Sequence, residues 1–304
     1  AIGSTVIDVR NLRKEYGGFV AVEDSTFSVD EGEVFGIIGP NGAGKTTTLK
    51  TIAGLLEPTA GTVEIAGQSA DSRETRRLLG FLPEESPLYE EMTALSYLRF
   101  FADLYDVPRE TANARIHDAL DRLELDHRER AIGDMSKGMK RKVAIARSLV
   151  NDPDVLVYDE PASGLDPLTT NYVIDFTKEL AAEGRTVVFS AHNLYHVEEV
   201  CDRVAIMNEG RVVAQGPLED LRDRYGSTEY HVFTTVDVPD AVAENGRYRR
   251  VVETMDDVEK IRSIAQENGG EIDDIRTVEP TLEGLFLDLA ESGERDHTTQ
   301  STEA

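Results

Sequence analysis

The chain has 304 residues, which suggests about two domains, and 40% of them are hydrophobic, which is enough for a folded core. Its formal net charge of −26 would repel nucleic acid and anionic lipid, so neither is expected to bind directly. Cys201 is the only cysteine, which excludes a disulfide within the chain and agrees with a reducing cytosol. We expect no signal peptide at the start, and no apolar run approaches the roughly 20 residues that span a bilayer.

The acidic residues are spread along the chain, and lysine is scarce. Of the 32 basic residues, 24 are arginine and eight are lysine. Diffuse acidity with little lysine is typical of proteins from extreme halophiles, so we expect a protein that is adapted to high salt. An ordinary acidic protein of the cytosol is the alternative.

The first predicted elements are strands. Residues 5–9 and 20–29 alternate apolar and polar side chains, as half-buried antiparallel strands do, and residues 62–65 form a further strand. Between them, the short apolar strand Val34–Ile38 is followed by a glycine-rich turn and by a helix predicted over residues 45–55. A strand, a turn and a helix in this order can hold an anion at the helix N-terminus.

The glycine-rich turn has the phosphate-binding P-loop pattern G-x-x-x-x-G-K-[ST]. Glycines let backbone N–H groups turn toward an anion. Lys45 supplies a positive charge for the β- and γ-phosphates, and the Thr46 hydroxyl can bind Mg²⁺. The pattern predicts a nucleotide site that is formed by Gly39, Pro40, Asn41, Gly42, Ala43, Gly44, Lys45, Thr46 and Thr47.

The next region has a helical pattern. Apolar positions recur with helical spacing over residues 94–106 and 111–125, and Pro108 lies between the two segments. A third helix is predicted over residues 141–149. We interpret the region of about 85–150 as a helical insertion.

Two continuous apolar runs follow, Val155–Tyr158 and residues 186–190, as expected for buried parallel strands. Residues 203–207 and 211–214 then flank Asn208-Glu209-Gly210, which predicts a hairpin. Strands that alternate with helices in this way predict an α/β core.

Two carboxylates, Asp159 and Glu160, follow the strand Val155–Tyr158 directly. In P-loop enzymes the first such carboxylate holds Mg²⁺, directly or through water, and the second can polarise an attacking water. Adjacent side chains on a strand point to opposite faces, but the chain turns at the strand end, so we expect both acids to reach one site. Ser136 and the backbone amides after it could form a second anion site at a helix start, although such a serine is also an ordinary helix cap.

With these residues the sequence resembles the ATP-binding subunits of ABC transporters, over residues from about 5 to 226. The P-loop matches their Walker A motif, and Tyr158-Asp159-Glu160 matches the end of Walker B. His192 matches the switch histidine, and Tyr16 matches the aromatic residue that stacks on adenine. The remaining matches are the signature motif (Ser136, Lys137, Gly138, Met139) and the D-loop (Ser163, Gly164, Leu165, Asp166).

The resemblance implies ATP and Mg²⁺ as cofactors and implies a role for each matching residue. Glu160 would be the catalytic base, with Lys45 and His192 at the γ-phosphate. Mg²⁺ would be held by Thr46, Asp159 and Glu84. Tyr16, the P-loop and the signature residues would bind ATP, although Tyr16 could also be an ordinary half-buried strand aromatic.

The sequence departs from the family pattern at two places. Glu84 follows Leu82-Pro83, where the family usually has Gln, and Lys137 stands where the signature usually has Gly. We expect the charge of Lys137 to compensate for that of Glu84 at the γ-phosphate. Both departures, and the sequence of residues 279–286, resemble the branch that serves ABC-2 type membrane subunits, which includes export systems.

The implied fold is α/β: a P-loop NTPase core with an antiparallel β subdomain and a helical insertion, plus a small α+β C-terminal accessory domain. We assign the cassette to residues 1–226, the accessory domain to 227–290 and a disordered tail to 291–304. In the accessory domain we expect two strands, a helix over residues 256–267, a strand over 271–278 and a helix over 281–289.

The implied function is ATP hydrolysis that powers export through a separate, multi-span membrane permease. The resemblance implies a homodimer with ATP between the P-loop of one subunit and the signature of the other, peripheral on the inner face of the cell membrane. One alternative is a soluble ABC-type ATPase acting on ribosomes or DNA, which the single cassette and the charge of −26 disfavour. Another is a nucleotide-gated regulator with little hydrolysis, which the intact Glu160 disfavours.

Overall fold

The computed structural model describes residues 4–192, 194–225 and 228–278. The chain divides into two compact units between Leu218 and Glu219. Within the described ranges, no helix is both long enough and apolar enough to cross a membrane.

The described part of the first unit contains a ten-stranded sheet in the order β5-β4-β1-β2-β10-β9-β3-β8-β7-β6. Its strands are β1 (Thr5–Tyr16), β2 (Phe19–Asp30), β3 (Val34–Ile38), β4 (Ala60–Ile65), β5 (Gln68–Ser69), β6 (Leu79–Leu82), β7 (Val155–Tyr158), β8 (Thr186–Ala191), β9 (Arg203–Asn208) and β10 (Arg211–Pro217). Its helices are α1 (Lys45–Ile52), α2 (Arg73–Leu78), α3 (Ala94–Leu104), α4 (Arg109–Arg122), α5 (Lys137–Leu149), α6 (Pro167–Ala182) and α7 (Leu194–Val200). Helix α8 (Leu218–Tyr225) begins at the last residue of the first unit, and its other residues belong to the second.

The sheet has an antiparallel part and a parallel part. Strands β5, β4, β1 and β2 pair antiparallel, whereas β9, β3, β8, β7 and β6 pair parallel. A hydrophobic cluster joins the two parts through α1, with Phe27, Phe35, Leu49 and Ile52 among its buried members. The rings of Phe27 and Phe35 stack with their centroids 5.3 Å apart. The parallel pairing brings the carboxyl ends of β3, β6, β7 and β8 to one edge of the sheet.

The helical segment contains α3, α4 and the start of α5, and each helix is fixed by local sequence and by a buried face. Thr93 and Ser96 form a capping box at the start of α3. Tyr97 and Leu98 of α3 are buried, as are Ile116 and Leu120 of α4. Ser136 caps α5 by accepting a hydrogen bond from the backbone N–H of Met139 at 3.2 Å.

The second unit is a small α+β structure. Strands β11 (Glu229–Thr234), β12 (Val242–Glu244), β13 (Arg247–Val252) and β14 (Ile272–Val278) form an antiparallel sheet in the order β12-β13-β11-β14. Helix α9 (Met255–Glu267) covers one face, where Val258 and Ile261 pack with Val232. The predicted helix over 281–289 and the predicted tail over 291–304 lie outside the described residues.

The predicted α/β fold with an antiparallel β part is confirmed, but several predicted element ends are wrong. Strand β1 continues beyond residue 9, because register shifts and a positive φ of 47° at Asn11 interrupt the alternation on which the prediction rested. Helix α1 ends at Ile52, three residues early, since Gly54 adopts φ +70° and the N–H of Leu55 returns to Lys50.

Two further predictions need correction. Helix α5 begins at Lys137 rather than at residue 141, because Ser136 provides the cap. In the described part of the second unit, three strands precede α9 rather than the two predicted. The prediction missed β12, which spans only three residues, Val242–Glu244.

Candidate active site

Within the described residues, the charged side chains that the sequence analysis selected lie at the edge of the sheet where the parallel strands end. Lys45 follows β3, Glu84 follows β6, Asp159 and Glu160 follow β7, and His192 follows β8. A cavity of about 320 Å³ opens at this edge. Its lining residues are Phe19, Ala21, Pro40, Asn41, Gly42, Gly44, Lys45, Thr46, Thr47, Glu84 and Glu160.

The P-loop backbone leaves no room for a side chain at two of its glycines. A side chain at Gly39 would collide with the backbone oxygen of Met207. Gly44 has φ +99°, and a Cβ there would lie 2.6 Å from the backbone oxygen of Ala21. Gly44 is also the N-cap of α1 and makes no side-chain cap, so the first backbone N–H groups of α1 and their partial positive charge face the loop.

Lys45 is buried and lies between the loop and the Walker B carboxylates. Its Nζ donates to the backbone oxygens of Gly39 at 2.5 Å and Pro40 at 3.1 Å, and it lies 3.7 Å from Oε1 of Glu160. Burial lowers the pKa of Lys45, while the carboxylates of Glu160 and Asp159 raise it. The side chain therefore connects the loop to Glu160 within one chain.

Asp159 and Glu160 are both buried and share one hydroxyl. Ser190 donates to Oδ1 of Asp159 at 2.7 Å and accepts from the backbone N–H of Glu160 at 3.0 Å. Glu160 has φ +46°, which turns the backbone directly after the strand. Because of this turn, the two consecutive acids do not follow the alternation of a regular strand.

His192 completes a contact chain through Glu160. Nδ1 of His192 lies 2.8 Å from Oε2 of Glu160, so the two carboxylate oxygens of Glu160 face His192 and Lys45 separately. The His192 side chain is 58% exposed, which leaves its ring open toward solvent. Glu160, which lines the cavity beside the P-loop, is thus held by two neighbours.

The hairpin between β1 and β2 carries two aromatic residues near the P-loop. Tyr16 is 45% exposed, with Nζ of Lys14 5.1 Å from its ring centre. Phe19, which is directly paired with Tyr16 and is 67% exposed, lines the cavity. The sequence analysis missed Phe19. The pattern Tyr16-Gly17-Gly18-Phe19, a two-glycine turn between two aromatic residues, could have indicated it.

The signature residues lie elsewhere. Among the described residues that line the P-loop cavity, none belongs to 136–139. Lys137 instead lines a second cavity of about 300 Å³, together with Glu84 and Ser163. Ser163 donates to Oε1 of Glu84 at 3.3 Å, and the Lys137 ammonium group packs against Gly164. Glu84 lines both cavities, so the two departures from the family pattern lie near each other in a single chain.

Arg141 is a buried cation that the sequence analysis did not select. Its guanidinium group donates to the backbone oxygens of Pro83, Glu84, Asp159, Glu160 and Pro161. Burial lowers its pKa to about 10. A usable signal was its spacing on α5, four residues before Ile145 and seven before Ser148, which are also buried.

Comparison with known proteins identifies the family. Residues 22–163 match the family model described as ABC transporter. The Nod factor export ATP-binding protein I of Burkholderia orbicola is 40% identical over 213 residues, which are 69% of this chain and 70% of that protein. The chain belongs to the ABC transporter ATP-binding family. The ABC transporter ATP-binding protein NatA of Bacillus subtilis is 42% identical over 205 residues, covering 66% of this chain and 83% of that protein.

Solved structures of ATP-binding cassettes have the same fold. The ATP-binding subunit of one ABC transporter is 38% identical, with a TM-score of 0.67 over 73% of this chain and 94% of that chain. A dimeric cassette in a post-hydrolysis state, bound to ADP and Pi, is 28% identical, with a TM-score of 0.63 over 70% of this chain and 98% of that chain. The predicted function is thereby confirmed: this ABC protein binds ATP and is an ATPase subunit coupled to transport.

Proposed function

We propose that Glu160 is the general base of ATP hydrolysis in this ABC subunit. The contact of Glu160 with both Lys45 and His192, beside the P-loop cavity, carries this proposal. A carboxylate held through both oxygens can orient a water toward a phosphate that is bound on the P-loop. Lys45 then stabilises charge on the transferred phosphoryl group, and His192 steadies the γ-phosphate from the β8 side.

We propose Thr46, Asp159 and Glu84 as the ligands of Mg²⁺. Their hydroxyl and carboxylate oxygens are the hard donors that Mg²⁺ prefers. Asp159 is fixed by Ser190 through Oδ1 and Glu84 by Ser163 through Oε1, and each carboxylate has a second oxygen for the ion or its water. When bound, the ion neutralises phosphate charge.

The experiment that tests the proposed base is Glu160→Gln. We expect ATP to bind with an affinity within about threefold of the unmodified protein, while kcat falls by about 10²–10⁴, the usual contribution of a general base. Glu33→Gln is the matched control, since Glu33 is 8% exposed compared with 7% for Glu160 and pairs with Arg203 away from the P-loop. An unchanged kcat in Glu160→Gln would contradict the proposal and would favour a regulator with little hydrolysis.

We propose that the protein works as a homodimer with ATP bound between the P-loop of one subunit and residues 136–139 of the other. Two observations support this: the signature residues do not line the P-loop cavity of their own chain within the described residues, and a related cassette bound to ADP and Pi is dimeric. Tyr16, together with the newly found Phe19, would stack on the adenine at the hairpin.

Mixing two inactive variants tests the dimer. Lys45→Ala disables the P-loop and Ser136→Arg blocks the signature, so each homodimer should be inactive. A mixed dimer retains one site with both motifs intact, and we expect the mixture to recover up to about a quarter of the unmodified activity if chains exchange freely. Recovery would fail if each site used the signature of its own chain.

We propose an ABC-2 type, multi-span membrane permease as the partner, with export as the direction and the inner face of the cell membrane as the location. The names of the two relatives, a Nod factor export protein and NatA, and the departures at Glu84 and Lys137 support this choice. Exposed apolar side chains before α3, on it and at its C-cap provide a surface for such a partner. They include Tyr89, Phe100, Leu104 and Tyr105, which are 54%, 40%, 62% and 39% exposed.

Purification of the tagged protein from detergent-solubilised membranes at high KCl tests the partner. A multi-span protein recovered in stoichiometric amount is the expected result. Leu104→Asp should reduce the recovery, whereas Leu55→Asp, at a similarly exposed leucine after α1, is the matched control. Recovery with ribosomes or DNA alone would contradict the proposal.

A further inference from the structure

Arg141 binds two functional turns at once. From the fifth residue of α5, its Nε donates to Pro161 O at 2.7 Å, and Nη2 donates to Glu160 O at 3.0 Å and Asp159 O at 3.4 Å. On the other side, Nη1 donates to Pro83 O at 2.7 Å and Glu84 O at 3.1 Å. Nη1 also lies 3.4 Å from the hydroxyl of Ser86.

The chemistry of these contacts is unusual for a buried cation. Arg141 is only 7% exposed, and the acceptors of its guanidinium group among the described residues are uncharged oxygens. A buried cation is costly unless its donors are satisfied, and here the carbonyl dipoles of two turns satisfy them. Arginine suits this place because its planar group offers five donors in fixed directions, whereas lysine offers three from one atom.

The two turns hold groups on which the proposed chemistry depends. The first contains Glu160 at φ +46°, a conformation that persists only where its surroundings impose it. The second contains Glu84, which lines the P-loop cavity. Strand β7 ends at Tyr158, so within the described residues the carbonyls of 159–161 lie beyond its ladder. Arg141 binds all three of them, and the backbone N–H of Ser163 also donates to Glu160 O at 3.0 Å.

We propose that Arg141 is a positioning residue for ATP hydrolysis: it sets the turn that presents Glu160, and it couples that turn to the Glu84 loop and to the signature helix α5. The proposal rests on the proposed role of Glu160. It implies that a displacement of α5, such as closure against a second subunit, is transmitted directly to the carboxylate that activates water.

Arg147 provides a matched control on the same helix. Its Nη1 donates to the Tyr97 hydroxyl at 2.8 Å, and its guanidinium group lies 5.4 Å from the ring centre of Phe101. These contacts support the helical segment but do not involve residues 83–86 or 159–161. A purely structural role for both arginines therefore predicts similar consequences for Arg141→Lys and Arg147→Lys.

The test compares the two variants by steady-state ATPase kinetics and by hydrogen–deuterium exchange of the full-length protein. For Arg141→Lys we expect kcat to fall at least tenfold with KM for ATP changed less than threefold, and faster exchange confined to residues 83–86 and 159–163. For Arg147→Lys we expect unchanged kcat and exchange changes in α3 and α5. Activity is expressed per ATP-binding site, so a partly unfolded sample does not imitate a loss of kcat.

The exchange measurement does not require hydrolysis, so it separates this inference from the proposed role of Glu160. If Glu160→Gln retains full activity but Arg141→Lys still loosens both turns, the role of Glu160 fails and the coupling stands. If Arg141→Lys leaves kcat and exchange unchanged, or if it loses activity only in proportion to its lost ATP sites, the inference is overturned. Arg141→Gln, whose amide keeps a neutral donor, is the second variant if Arg141→Lys does not fold, and the same outcomes decide.

Discussion

The hydroxyl of Ser190 offers a quantitative test of how the two Walker B carboxylates are held. Ser190→Ala removes a hydrogen bond to the Asp159 carboxylate and leaves the buried N–H of Glu160 without its acceptor. A hydrogen bond to a charged group contributes about 1.5–3 kcal/mol, and a buried donor left unpaired costs about 1–3 kcal/mol. Allowing for partial relaxation, we expect the free energy of unfolding to fall by about 2–4 kcal/mol.

Ser25→Ala is the control for this experiment. Ser25 and Ser190 both have 0% exposure, but within the described residues the Ser25 hydroxyl has no hydrogen-bond partner. Its removal should change the free energy of unfolding by no more than about 0.5 kcal/mol, or increase it.

Urea unfolding at pH 7 measures both variants, and ATPase assays below the unfolding transition measure their activity. We expect kcat of Ser190→Ala to fall about tenfold, which corresponds to about 1.4 kcal/mol of transition-state stabilisation. Equal losses of stability in Ser190→Ala and Ser25→Ala would refute the conclusion that this hydroxyl holds the two acids.

Four further outcomes are expected. Because Glu84 and Lys137 line one cavity, Glu84→Gln and Lys137→Gly should be coupled by about 0.5–1 kcal/mol in ATPase rate, and strictly additive effects would show that neither charge responds to the other. The acidic side chains behind the net charge of −26 repel one another less when salt screens them, so the urea midpoint of unfolding should rise as the KCl concentration increases. Full stability at low salt would contradict the expected adaptation to high salt. A Cβ at Gly36 would lie 2.7 Å from Sγ of Cys201, so Gly36→Ala should cost about 1–3 kcal/mol of unfolding free energy and Cys201→Ala should restore part of it; no restoration would refute the clash. Burial raises the pKa of the Cys201 thiol well above its usual value. The contribution of this neutral thiol to the free energy of unfolding should be full below the ordinary thiol pKa and should decrease as pH rises above it, while alkylation of the folded protein stays slow. Cys201→Ala should abolish this alkaline loss, and rapid alkylation at pH 8 would contradict the prediction.

The sequence by itself determined the parts of this protein in which local chemistry dictates the residue. The P-loop glycines, Lys45 and the acid pair after β7 were recognisable because each type is required at a fixed spacing by a phosphate, a positive charge or an ion. The buried parallel strands were equally predictable, because they are continuous apolar runs. The ends of the elements were less predictable, since the bulge at Asn11 and the cap at Ser136 depend on strand pairing and on single hydrogen bonds.

Only the tertiary structure decided which of these residues meet. Glu160 touches Lys45 and His192 because parallel strands that are far apart in sequence end at one edge of the sheet. The contacts of Arg141 join residues 18 to 58 positions apart, and sequence spacing carries no information about such pairs. The acceptors are backbone carbonyls, which every residue has, so no residue type marks them. The physical reason is that each residue type specifies its own side-chain chemistry, whereas the relative positions of backbone groups on separate strands are set only when the sheet forms.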